Sequence, residues 1–213
     1  MYLSLPTNHE TPPEGTHFAV LTEFTDLGTH PNDLGDGKPR HEMRLGFRVF
    51  PSDEEGKRIE GDFFTSTIVT ASIHPKSKFH GWATSLLGHE LKTGFEMKEL
   101  LGRPCLLELF HKTSPKGYTN ANIASLISAP KGAQVPDLAA EFRAFDIALA
   151  GAWANGLLAY DDLDNWAKER VASSDEWNKA PALGMPTSAE KVVRLAPPSQ
   201  HRAADIIDDD IPF

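Results

Sequence analysis

His41-Glu42-Met43-Arg44-Leu45-Gly46-Phe47-Arg48-Val49-Phe50 alternates with a period of two: Met43, Leu45, Phe47 and Val49 fall on one face, and Arg44, Arg48 and Phe50 on the other. A pleated strand gathers such residues on opposite sides, so the run reads as a half-buried β-strand. The flanks point the same way. Residues 17–24, His-Phe-Ala-Val-Leu-Thr-Glu-Phe, read as a strand running toward the turn signal Asp26-Leu27-Gly28, and residues 31–39 are a loop by composition. A polar hairpin-like loop over residues 52–57 leads into residues 62–71, rich in Phe, Thr, Ile and Val, which are strand formers.

The period then changes. Trp82, Leu86, Leu87 and Leu91 recur at helical spacing within residues 78–92, and residues 97–102 read as a short second helix stopped by Gly102 and Pro104. Residues 105–112 and 118–128 are expected strands joined by the turn Ser114-Pro115-Lys116-Gly117. Three strands, a helical insert and two strands is the order of a five-stranded OB-fold barrel, with an open α+β sheet as the competing arrangement. The chain is therefore expected to be mainly β, with residues 1–133 as the barrel domain. Residues 134–177 form a helical or irregular extension, in which Leu163, Trp166 and Ala167 share a helix face and Asp161, Asp162 and Asp164 suit its N-terminal end. Residues 172–204, with Pro181, Pro186, Pro197 and Pro198 among few large apolar residues, read as disordered by composition, and residues 178–213 are expected to be a disordered linker and acidic tail.

Composition bounds the function. The chain has 213 residues and a net charge of -9. Residues 1–133 carry 14 Lys+Arg against 16 Asp+Glu and residues 134–213 carry 7 against 14, so most of the surplus acid lies outside the expected barrel. No stretch approaches the roughly 20 apolar residues of a bilayer-spanning helix, and no secretory signal is expected at residues 1–13. Cys105 is the only cysteine and follows Pro104 in an apolar strand, where a small buried hydrophobe is the expected role. The nine histidines show no metal-ligand spacing, and no phosphate-binding glycine motif or nucleophile elbow occurs. Neither an enzyme nor a cofactor is expected.

The most specific signal is Asp208-Asp209-Asp210-Ile211-Pro212-Phe213, which joins an acidic run, an apolar ring and a terminal carboxylate. A hydrophobic pocket rimmed by Arg or Lys would read all three together. The plain alternative is an acidic end that only aids solubility. The six residues resemble the terminal signature of bacterial single-stranded DNA-binding proteins. In that family the tail docks on exonucleases, helicases, primosome proteins and a polymerase clamp-loader subunit.

The rest of the chain resembles a group of phage single-stranded DNA-binding proteins. The resemblance is carried by Pro13-Glu14-Gly15-Thr16, Asp26-Leu27-Gly28, His74-Pro75-Lys76-Ser77, Leu100-Leu101-Gly102-Arg103-Pro104-Cys105 and Gly117-Tyr118-Thr119-Asn120-Ala121-Asn122-Ile123. It implies an OB-fold, binding of single strands with little sequence preference, and work in phage replication, recombination and repair in the cytoplasm of the infected host. Replication and repair proteins that read the tail would be its partners. The competing reading is a tail-mimic interaction protein that occupies host pockets without binding DNA. A homo-oligomer is left open.

A single-strand groove needs cations along the phosphates and aromatic faces for the bases. Arg44 and Arg48 sit two pleats apart with Phe50 continuing the row, either a cation–aromatic stripe or a solvated face with Phe50 as a lid over the core edge. Lys76 and Lys78 project from the segment before the helix. Trp82 is either a stacking platform or a core residue. Lys112 and Lys116 flank the last hairpin, and Tyr118 and Asn122 share a strand face, to contact a base or to make ordinary cross-strand pairs.

Overall fold

The structure is a computed structural model that describes residues 10–32, 37–92, 94–115, 117, 119–147, 158 and 160–179. Lys116, Tyr118 and the tail Asp208 to Phe213 lie outside the described residues.

The alternating run is a strand, β2 (Arg40–Phe50), with Met43, Leu45, Phe47 and Val49 buried and Arg44, Arg48 and Phe50 half-buried on the opposite face. It lies between β1 (Gly15–His30) and β3 (Phe63–Thr70), antiparallel to both. β4 (Pro104–Thr113) returns to pair with the first part of β1, and β5 (Thr119–Ser128) pairs antiparallel with β4. A short β6 (Arg143–Phe145) adds to β1 in parallel at Glu23 to Thr25, beyond the stretch that β4 covers. The main order is β3-β2-β1-β4-β5, in one six-stranded, mostly antiparallel sheet.

The expected closed barrel of five strands differs from this in two ways. A sixth strand is present, and no backbone ladder joins β3 to β5 among the described residues. The two strands still meet, since Thr65 Oγ1 donates to the Ala121 carbonyl at 2.8 Å.

β1 is also longer than its sequence suggests. Asp26-Leu27-Gly28 is a bulge within the strand and not a turn that ends it. Asp26 Oδ1 accepts the Gly28 N–H at 2.9 Å, and Gly28 takes φ +78°. Turn chemistry here bends a strand that continues its pairing with β2. A second irregularity between Leu21 and Glu23 adds to the curvature.

The curved sheet has apolar residues on both faces. On the inner face, Leu21, Leu45, Phe47, Leu107 and Ile123 pack with Phe79, Trp82, Ala83, Leu86 and Leu87 of α1 (Lys78–Leu87). Ser77 caps that helix through His80 N, and Gly88 ends it in the left-handed region. Residues 97–100, expected as a helix, form a single 3-10 turn that buries Leu100.

The outer face carries a second core. Leu27 and Ile68 pack with Phe145, Ile147 and Leu163, and with Ala167 and Val171 of α2 (Asn165–Ala172). Trp177 of α3 (Asp175–Lys179) stacks on Tyr160 with ring centroids 4.5 Å apart. Residues 172–179, which by composition belong to a disordered stretch, are therefore ordered on the sheet. Ser174 is fully buried against Gly28, where a Cβ would come within 2.5 Å of the serine side chain. Polar contacts hold the same layer. Glu176 accepts from Thr29 N and Thr29 Oγ1, both at 2.6 Å, and Arg170 donates to Glu42 at 2.6 and 3.0 Å.

Candidate nucleic-acid interface

The open seam between β3 and β5 is where the sheet offers a cavity. A groove of about 560 Å³ is lined by residues 64–68 of β3, Phe110 and Lys112 of β4, residues 120–123 of β5, Arg44 of β2, Trp166 of α2, and Thr11 and Pro12. That volume lies within the roughly 300–1,000 Å³ usual for small-molecule sites.

Each wall has a local cause. Phe64 lies over Gly46, where a Cβ would approach its ring within 2.5 Å, so the glycine makes room for the aromatic side chain on the outer sheet surface. Phe110 takes an outward position on β4 between the buried Leu109 and the exposed His111, and is 38 % exposed. The His111 ring hydrogen-bonds the Pro12 carbonyl at 2.8 Å and fixes the Thr11–Pro12 edge. Asp164 caps α2 through Ala167 N at 2.9 Å and so sets the start of the helix that presents Trp166, 43 % exposed. The buried face of α2 is Leu163, Ala167 and Val171. Trp166 stands at the edge of that stripe and not within it, as its helical spacing with Leu163 had suggested.

Arg44 occupies the floor beneath Trp166. Its Nη2 donates to Glu23 at 2.7 Å, its Nη1 to Asp164 at 2.5 Å, and its guanidinium carbon lies 5.8 Å from the Trp166 ring centroid. Burial works against the charge, but Glu23 and Asp164 outweigh it and hold the guanidinium above its ordinary pKa. Burial likewise works to raise the Asp164 carboxyl. The Ala167 N–H and Arg44 reverse that and keep it below the usual range. Arg44 is thus a permanently charged bracket between β1 and α2.

Of the residues singled out in the sequence, the structure brings Arg44, Lys112 and Asn122 together in this groove. The expected Arg44–Arg48–Phe50 stripe is not a row of cations open to phosphates. Arg48 Nη1 is engaged by Asp62 and lies 3.9 Å from Glu141, and Phe50 packs on Phe18 at 5.9 Å with the Arg58 guanidinium over its ring at 4.6 Å. Trp82 is a core residue, 7 % exposed, with the Lys78 ammonium 4.6 Å from its ring centroid, so it presents no face to a base. Lys76 is exposed, but neither it nor Lys78 lines the groove.

None of the three aromatic residues of the site stands out in the sequence as a DNA contact, and Trp166 figures there only as part of a helix face. Phe64 and Phe110 each follow an inward residue, Phe63 or Leu109, so strand parity assigns them outward. No comparable signal marks Trp166, whose place depends on how α2 docks.

The chain matches no protein-family model, no curated protein and no solved structure. The site must therefore be interpreted from its own chemistry. It combines three aromatic side chains, Phe64, Phe110 and Trp166, with amides and hydroxyls from Asn120, Asn122, Ser66 and Thr67 and with Lys112 at one end. Among the described residues no group of three His, Cys, Asp or Glu is placed to hold a metal ion. Burial pushes the Cys105 thiol up to about 12, far from the thiolate form a nucleophile needs.

Proposed function

We propose that this chain is a single-stranded DNA-binding protein whose strand runs through the β3–β5 groove, with bases against Phe64, Phe110 and Trp166. The observation that carries the reading is that group of aromatic side chains, set among amide and hydroxyl groups on the outer surface of the sheet. Aromatic faces accept any base, which suits binding with little sequence preference.

The sheet itself is proposed to be an OB-type barrel parted at one seam. The order β3-β2-β1-β4-β5 brings its two ends back into contact at Thr65 and Ala121, and α1 precedes β4. OB-folds bind oligonucleotides on the face of strands 2 and 3 and at the loop between strands 4 and 5. The groove spans the corresponding elements here: Arg44 on β2, residues 64–68 on β3, and Lys112 with Asn120 beside the β4–β5 turn.

Asp208-Asp209-Asp210-Ile211-Pro212-Phe213 is proposed to recruit replication and repair proteins that read such tails, during phage DNA metabolism in the host cytoplasm. The net charge of -9 and the pairing of Arg44 and Arg48 with carboxylates favour a second reading, a tail-mimic protein without DNA affinity. One titration separates the two. Oligo-dT added to the intact protein should quench tryptophan fluorescence, and a Trp166→Phe variant should lose most of that signal. No quenching and no complex in dilute buffer would leave only the tail-mimic reading.

A further inference from the structure

We infer that the groove grips a strand by its bases and makes few phosphate contacts, so that binding is driven by stacking and depends only weakly on salt. This rests on the single-strand reading above and concerns which part of the strand the site recognises.

Six of the 14 Lys and Arg of residues 1–133 stand out in the sequence as candidates to meet a strand: Arg44, Arg48, Lys76, Lys78, Lys112 and Lys116. Tertiary structure withdraws most of the five that are described. Arg44 is bracketed by Glu23 and Asp164, and Arg48 is engaged by Asp62 with Glu141 nearby. Lys76 and Lys78 stand outside the groove lining. Lys112 is the lysine that the lining contributes, and Lys116 lies outside the described residues. The remaining polar lining is neutral, from Thr11, Thr65, Ser66, Thr67, Asn120 and Asn122. Such groups hydrogen-bond base edges and sugars without displacing counterions.

Counterion release turns this into a number. Each phosphate neutralised on a single strand contributes about -0.7 to the slope of log K against log salt. Six contacts would give a slope of about -4, whereas one or two give about -0.7 to -1.4. The net charge of -9 works in the same direction. Long-range repulsion between an acidic protein and the strand is relieved by salt, which flattens the slope further.

The test is fluorescence anisotropy of the full chain with end-labelled oligo-dT between 50 and 300 mM NaCl, with an abasic oligonucleotide of equal length as competitor. The expected result is a slope shallower than about -2, with the abasic strand competing at least about tenfold more weakly than oligo-dT. Phe110→Ala should weaken binding by about 5- to 150-fold and leave the slope unchanged. A slope steeper than about -2, or an abasic strand that competes less than tenfold more weakly, overturns the inference while leaving single-strand binding intact. Absence of any complex at the lowest salt overturns the single-strand reading itself.

Discussion

Replacing Arg44 with alanine separates the two roles a cation on β2 can have, phosphate contact or structural bracket. In the structure the change removes an ion-pair partner of Glu23, whose side chain is only 14 % exposed, and one of Asp164, which is 50 % exposed. Breaking a fully buried pair costs about 3–5 kcal/mol, because a charge is left without its counterpart. Here the cost is smaller. Thr25 Oγ1 still donates to Glu23 at 3.3 Å, and solvent reaches Asp164, which keeps its bond to Ala167 N. Discounting for that exposure leaves roughly 2 kcal/mol, equivalent to a fall in Tm of about 4–8 °C for a chain of this size. Urea denaturation measures it, and the double variant with Glu23→Gln should recover part of the loss by removing the stranded charge. Oligo-dT affinity should also drop, because Trp166 loses the bracket that positions its helix, but the salt slope should not change. An Arg44→Ala protein of unaltered stability whose slope shrinks by about 0.7 would refute the bracket and restore the phosphate contact.

Gly28→Ala places a Cβ at φ +78° and within 2.5 Å of the buried Ser174 side chain, so a loss of roughly 2 kcal/mol is expected. Limited proteolysis should then cut within residues 160–179 sooner than in the unaltered protein. His41 accounts for a pH dependence. Its hydrogen bond to Asp26 at 2.7 Å, with Glu176 at 3.5 Å, raises its pKa against the opposing effect of burial. A raised histidine stabilises fully below its unfolded value of about 6.5, and the contribution fades as pH climbs through the higher folded value. His41→Asn should therefore lower Tm by a few degrees, about 1–3 °C, at pH 6, with the gap narrowing by pH 9; a gap that widens with pH rejects the ion pair. Removing Phe213 should abolish capture of proteins that read such tails while oligo-dT affinity stays the same, and retained capture would mean the ring is not what they read.

The strands were legible because a half-buried sheet imposes a two-residue period on the residues it exposes and hides. Met43, Leu45, Phe47 and Val49 fell on the buried face for that reason, and Trp82 with Leu86 marked α1 through helical spacing. Local chemistry was harder to interpret. Asp26-Leu27-Gly28 carries the residues of a turn, and only pairing with β2 on both sides shows it to be a bulge. Residues 172–179 are polar and short of large apolar groups, yet Ser174 and Trp177 find partners on β1 and at Tyr160.

Periodicity and composition along the chain were enough to establish a mainly β architecture, the helix between the third and fourth strands, and the split between a nearly neutral body and an acidic end. Those properties depend on near neighbours, and near neighbours are written in order. Folding alone decided that Arg44 and Arg48 spend their charge on carboxylates, that Trp82 is hidden and Trp166 displayed, and that a groove lies between β3 and β5. Each of these depends on residues far apart in the chain, such as Arg44 and Asp164, whose meeting is governed by packing across the sheet.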